Sequence, residues 1–230
     1  MLVTLWTIDP GRFTQDIDFL AFGYDDEERL QADFTEILGG DADDGLVFDL
    51  DALTAAPIRD DQVYGGMRLK TTAYLKTTKI PIVIDLGFGD AITAPDYEID
   101  YGSLLDMPSA TVRAYSPETV IAEKFQAVIA LGIVNSRMKD FYDLYAIPRA
   151  VEISKAALLK AIKSTFMRRE TDIPSERPTG FSNAFSQDPI RQTQWAAYSA
   201  ETDVADMTLE EICDNIWAYL EPLRAQTKQA

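Results

Sequence analysis

The sequence contains no histidine and a single cysteine, Cys213. Without histidine, a Ser-His-Asp triad, imidazole acid–base work and histidine-ligated metals are excluded. Any catalysis must come from carboxylates, lysine, arginine, hydroxyls or a metal that they hold. One cysteine excludes an intramolecular disulfide and fits a reducing, cytoplasmic setting. Cations are scarce too: 21 Lys and Arg against 38 Asp and Glu give a net charge of −17. That balance disfavours general phosphate binding and confines any nucleic-acid contact to a local patch. No apolar run approaches the roughly 20 residues that span a bilayer. The opening MLVTLWTIDP, with no basic residue and a short apolar stretch, is not expected to be a signal peptide.

What is present suits a globular chain. With 230 residues, 47% of them hydrophobic, it can bury a substantial core as one large domain or two small ones. Residues 1–7 read as the end of a short helix, and TQDIDFLAF alternates like a strand. YDDEERLQADFTEILGG reads as a helix stopped by Gly39 and Gly40. A short strand is expected at Val47–Asp49, an alternating one in YGGMRLKTTAYL, and a central strand buried on both faces in TKIPIVIDLGFGD. One or two more fall within residues 97–115, including ATVRAY. After Pro117 strand signals largely stop. SPETVIAEKFQAVIAL opens with a Ser N-cap and Pro at the first helical position, and SRMKDFYDLYAI is a helix ending before Pro148. ISKAALLKAIKSTFMRRE and TLEEICDNIWAYLEPL are further helices, whereas TDIPSERPTGFSNAFSQDP reads as a loop. The expected class is α+β, with a mixed-sheet core over residues 1–115 and a helical region over 116–230.

Several residues stand out against this background. In a strand, Asp16 and Asp18 point the same way, and two such carboxylates suit a hard divalent cation; they equally suit a solvated edge strand. Asp85 interrupts the apolar run IPIVIDLGF, where a buried carboxylate must bind a metal, protonate or pair with an arginine. If the two strands are neighbours, three carboxylates converge, as two-metal phosphoryl chemistry requires. Lys124, with Ile121 and Val128 at helical spacing, sits at the margin of a buried stripe, either contacting phosphate or carboxylate or snorkelling; Glu123 falls on the outer, solvated side. Asp140 and Asp143 share a helix face that either holds Lys124 or Arg137 in place or is simply exposed.

Other features carry less. DADDG fails as a calcium loop because its Gly comes early and Ala52 stands where a Glu is needed, and GFG is too short for a dinucleotide fingerprint. Cys213 falls among Leu209, Ile212, Ile216 and Leu220, a core pattern. Lys155, Lys160, Lys163, Arg168 and Arg169 form a cationic series that is the best local candidate for RNA contact. A sugar-nucleotide transferase using D-x-D needs a βα nucleotide unit before the motif, and a metal nuclease needs an E-x-K strand pattern; neither is present.

Taken in order, RFTQDIDF, IVIDLGFGD, ETVIAEKFQAVI and SRMKDFYDLY resemble the AbiEii-type nucleotidyltransferase toxins of the DNA polymerase β-like superfamily, across residues 12–145. The resemblance implies Mg²⁺-dependent transfer of a nucleoside monophosphate from an NTP, with two ions expected. It assigns Asp16, Asp18 and Asp85 as metal ligands, Asp85, Lys124 and Asp140 as catalytic, and Lys124, Arg137 and Asp143 as nucleotide-site residues. It implies an acceptor such as tRNA, another RNA or protein, a cognate antitoxin, and a role in toxin–antitoxin or abortive-infection systems. The family's Lys-Gly-Gly or Lys-Gly-Ala turn would stand just upstream of MLVTLW, so the true start is expected upstream of Met1. The alternative is a catalytically inactive binding module of the same fold, or a truncated form.

Overall fold

A computed structural model describes residues 2–7, 9, 12, 14, 16–40, 42–58, 66–95, 97–102 and 108–227. Met1, and Tyr64 and Gly65 at the start of the expected YGGMRLKTTAYL strand, lie outside the described residues. The chain forms two compact units, one of residues 14–90 (with Met1), the other of residues 2–13 and 91–230.

The first unit is a mixed sheet with one helix. Its strands are β1 (Ile17–Ala21), β2 (Leu46–Phe48), β3 (Thr54–Pro57), β4 (Gly66–Leu75) and β5 (Thr78–Phe88). The order is β1-β5-β4-β2, with β3 also paired to β4. β1 runs parallel to β5, and the other pairings are antiparallel. Helix α2 (Glu27–Leu38) begins where the Asp26 side chain accepts from the Arg29 amide, and Gly39 caps its end as expected. Its Leu30 joins Leu53, Met67, Leu69, Ile84 and Leu86 in the core of this unit. β4 alternates as its sequence suggests, with Met67, Leu69, Thr71 and Ala73 buried. β5 is central, as expected, but only one of its faces enters the core: Ile84 and Leu86 are buried, whereas Val83, Asp85 and Gly87 are not fully covered. The expectation of burial on both faces fails because the neighbours that pairing sets beside the Asp85 face are polar: Asp18 of β1, and Arg68 and Lys70 of β4.

The second unit is mostly helical. It comprises α1 (Leu2–Thr7), the antiparallel pair β6 (Glu98–Tyr101) and β7 (Ala110–Arg113), α3 (Pro117–Leu131), α4 (Met138–Ala150), α5 (Lys155–Arg168), α6 (Asn183–Ser186), α7 (Pro189–Ser199) and α8 (Leu209–Thr227). The last described strand thus ends at Arg113 and the long helices begin at Pro117. Ser116 caps α3, its hydroxyl accepting from the Thr119 amide, with Pro117 at the first position. α4 runs through Pro148 instead of stopping before it. The proline lies in the last turn, where its missing N–H costs one bond to the Leu144 carbonyl. Arg149 then donates to the Tyr145 carbonyl at 2.6 Å, satisfying one of the terminal acceptors. Phe125 lies 5.2 Å from Phe166 between ring centres and Phe141 5.1 Å from Phe185, all four in a core that also takes in Cys213. The TDIPSERPTGFSNAFSQDP segment is not all loop: a 3-10 turn at Thr179–Phe181 packs so closely on α3 that a Cβ on Gly180 would lie 2.8 Å from the Val128 carbonyl oxygen.

Candidate active site

In the first unit the parallel pairing of β1 with β5 sets Asp18 directly beside Asp85, and Asp16 precedes Asp18 by two residues on the same side. One carboxylate oxygen from each of the three lies within 4.8 Å of the others. The antiparallel pairing on the other side of β5 sets Arg68 opposite Asp85. Arg68 donates from Nε to Asp85 Oδ1 at 2.7 Å and from Nη2 to Oδ2 at 2.6 Å. Of the alternatives for Asp85, the pairing with an arginine is the one the structure shows, and the residue also stands in a carboxylate cluster. Each of its oxygens keeps a further lone pair, because an ionised carboxylate offers about four acceptor sites. Three hard oxygen donors within this distance fit Mg²⁺, which takes one or two carboxylates together with water and phosphate oxygens.

The second unit carries a buried ionic network. Lys124 Nζ donates to Asp140 Oδ1 at 2.5 Å and lies 2.8 Å from Asp143 Oδ2. Arg12 clasps Asp143 from the other side, Nε to Oδ1 at 2.7 Å and Nη2 to Oδ2 at 2.8 Å. The side chains of Asp143 and Arg12 are 0% and 2% exposed, and that of Lys124 19%. Burial alone would lower the Lys124 pKa, but Asp143 and then Asp140 outweigh it and raise the ammonium above its ordinary value. For Asp143, burial pushes up, and Lys124 and Arg12 together hold the carboxyl below its ordinary value. Of the two readings of Asp140 and Asp143, the geometry gives the one that anchors Lys124. Arg137 instead stands exposed at the start of α4, its backbone amide donating to Asn135 Oδ1.

Three residues of these networks carry no local sequence signal for their roles. Arg68 sat on the polar side of an alternating strand whose register was unknown. Arg12 lies 131 residues from Asp143, and no local pattern links them. Glu123, expected to be solvated, accepts from Thr165 Oγ1 at 2.9 Å and pairs with Arg169 at 2.6 Å, because α5 covers that side of α3. The Asp188 cap and Pro189 at the start of α7 were a readable helix signal, masked by the Pro- and Ser-rich stretch before them.

The fold is shared with a solved structure, "Crystal structure of putative nucleotidyltransferase from H. pylori", which matches with a TM-score of 0.50 and 13% identity, over 100% of this chain and 86% of that one. No curated protein matches the chain in sequence. The family described as "Nucleotidyl transferase AbiEii toxin, Type IV TA system" matches residues 1–221, and the chain belongs to it. It is thereby an enzyme of the nucleotidyltransferase class. Among the described residues, no helix is long and apolar enough to cross a membrane.

Proposed function

We propose that the chain moves a nucleoside monophosphate from an NTP to an acceptor and releases pyrophosphate, acting in the cytoplasm as the toxin of a toxin–antitoxin or abortive-infection pair. The observation that carries this reading is the convergence of Asp16, Asp18 and Asp85 within 4.8 Å. These three would hold Mg²⁺, whose charge, when bound, favours the attacking oxygen and the leaving pyrophosphate. Asp85 is the base proposed for the acceptor hydroxyl: it takes the proton as the oxygen bonds to the α-phosphorus and the bond to pyrophosphate breaks. For the second unit, taken by itself, the proposed roles are an ammonium N–H from Lys124 to a phosphate oxygen, Asp140 and Asp143 as the holders of that ammonium, and the exposed Arg137 as a further cation for the nucleotide. An RNA acceptor such as tRNA is favoured over protein by α5, which carries Lys155, Lys160, Lys163 and Arg168 and no acidic residue in a chain of net charge −17. The antitoxin follows from the family alone.

A second reading, a module that keeps the fold without the reaction, draws on the Arg68 fork that engages both Asp85 oxygens. Calorimetric titration of the protein with NTP in the presence and absence of Mg²⁺ separates the two. The proposed enzyme shows saturable, magnesium-dependent heat that Asp18→Asn diminishes, whereas an inactive module shows none.

A further inference from the structure

We infer that Arg12 is a positioning residue for the nucleotide: by fixing the orientation of Asp143 it aims the one ammonium hydrogen of Lys124 left for a phosphate oxygen. The inference rests on the proposed role of Lys124. Lysine has three N–H donors and no acceptor. Two are taken by Asp140 and Asp143, and among the described residues the third has no partner. Where that third hydrogen points depends on where the two carboxylates stand. Asp140 is anchored by Lys124 itself at 2.5 Å, so an independent constraint must come through Asp143. Arg12 supplies it, because a planar guanidinium that bonds both oxygens of a carboxylate fixes its plane as well as its position.

The fork also sets the charge balance. Asp140 and Asp143 carry two negative charges, and Lys124 alone would be pulled between them. With Arg12 the set is neutral, and the lysine is not needed to compensate both acids. Arg12 itself is held firmly. Val3 of α1 is buried in the helical core, the Arg12 amide donates to the Asp9 carbonyl at 3.1 Å, and Asp9 accepts from the Tyr142 hydroxyl at 2.5 Å. The segment is thus fastened to α4 at two successive residues, Tyr142 and Asp143. Asp143 is thus gripped on both oxygens by Arg12 while it also holds Lys124.

The test compares wild type, Arg12→Lys and the double variant Arg12→Gln/Asp143→Asn. Arg12→Lys keeps the charge and loses the fork; the double variant removes both charges and leaves no unpaired buried ion, so it folds even if the single variant does not. The measurements are NTP affinity by calorimetry, KM and kcat for nucleotidyl transfer, and the thermal midpoint. Losing one charge-assisted phosphate contact weakens NTP binding and raises KM by about tenfold in both variants, with kcat changed far less. A wild type that binds no NTP overturns the proposed function and this inference with it. A wild type that binds NTP while both variants bind as tightly overturns this inference alone. So does a loss confined to kcat that scales with the folded fraction, since that marks Arg12 as an anchor and nothing more.

Discussion

Asp143→Asn tests the ionic network most sharply. The wild-type carboxylate is fully buried and takes three charge-assisted contacts at 2.7–2.8 Å, two from Arg12 and one from Lys124. Asparagine keeps the shape and one acceptor oxygen but sets an NH₂ against cationic donors and removes the charge that Arg12 grips on both oxygens. Breaking one side of a buried pair costs about 3–5 kcal/mol, and the retained acceptor places this case near the lower figure. At about 2–4 °C per kcal/mol for a chain of this size, the thermal midpoint falls by roughly 6–12 °C at pH 7. Trp6, Trp195 and Trp217 all lie in the second unit, so their fluorescence follows the relevant transition. The pH dependence adds a second condition. Because the folded pKa of Asp143 is depressed, its contribution is present above the unfolded value of about 3.9 and is lost as pH falls through the lower folded value. Wild type and variant therefore converge in acid. Lys124, raised by Asp143 and Asp140 against its burial, contributes below about pH 10.4 and loses that contribution as pH rises through its higher folded value. A midpoint within about 2 °C of wild type at pH 7, less than the effect of 1 kcal/mol, would refute the reasoning. So would a difference that persists undiminished at pH 2.

Two further outcomes follow from the same geometry. Arg68→Met removes a cation that shares both oxygens of Asp85, so Mn²⁺ binding followed by electron paramagnetic resonance tightens by about tenfold, roughly 1.4 kcal/mol of relieved repulsion; unchanged or weaker binding contradicts the placement of Arg68 beside the cation. Gly180→Ala pushes a methyl against the Val128 carbonyl oxygen and Cγ1, each 2.8 Å away, and lowers stability by about 1–3 kcal/mol in guanidinium titration; a neutral effect would mean that the turn and α3 lie further apart.

The legible part of this protein was what depends on local spacing. Alternation put Asp16 and Asp18 on one side of a strand, the run around Asp85 marked a central strand, and Ser116-Pro117 marked the start of α3. What local spacing cannot encode is register between distant segments. The pairing of β4 with β5 decides that Arg68, and not Lys70, faces Asp85. β3, with its TAAP sequence of low strand propensity, exists because β4 offers it an edge. Pro148 misled the helix boundary because proline is tolerated when the lost bond falls in a last turn whose carbonyls find other donors. Arg12 escaped notice for the same reason as Arg68: its partner lies across the fold, and a buried arginine leaves no periodic trace.

The central claim is nucleotidyl transfer at the Asp16–Asp18–Asp85 cluster. Its most direct test is transfer of label from α-labelled NTP to RNA in the presence of Mg²⁺, with wild type, Asp16→Ala and Asp85→Ala measured side by side. The account predicts labelled product and released pyrophosphate with wild type, loss on chelation of the metal, and background levels with both variants. Transfer that continues unchanged in both variants would contradict it.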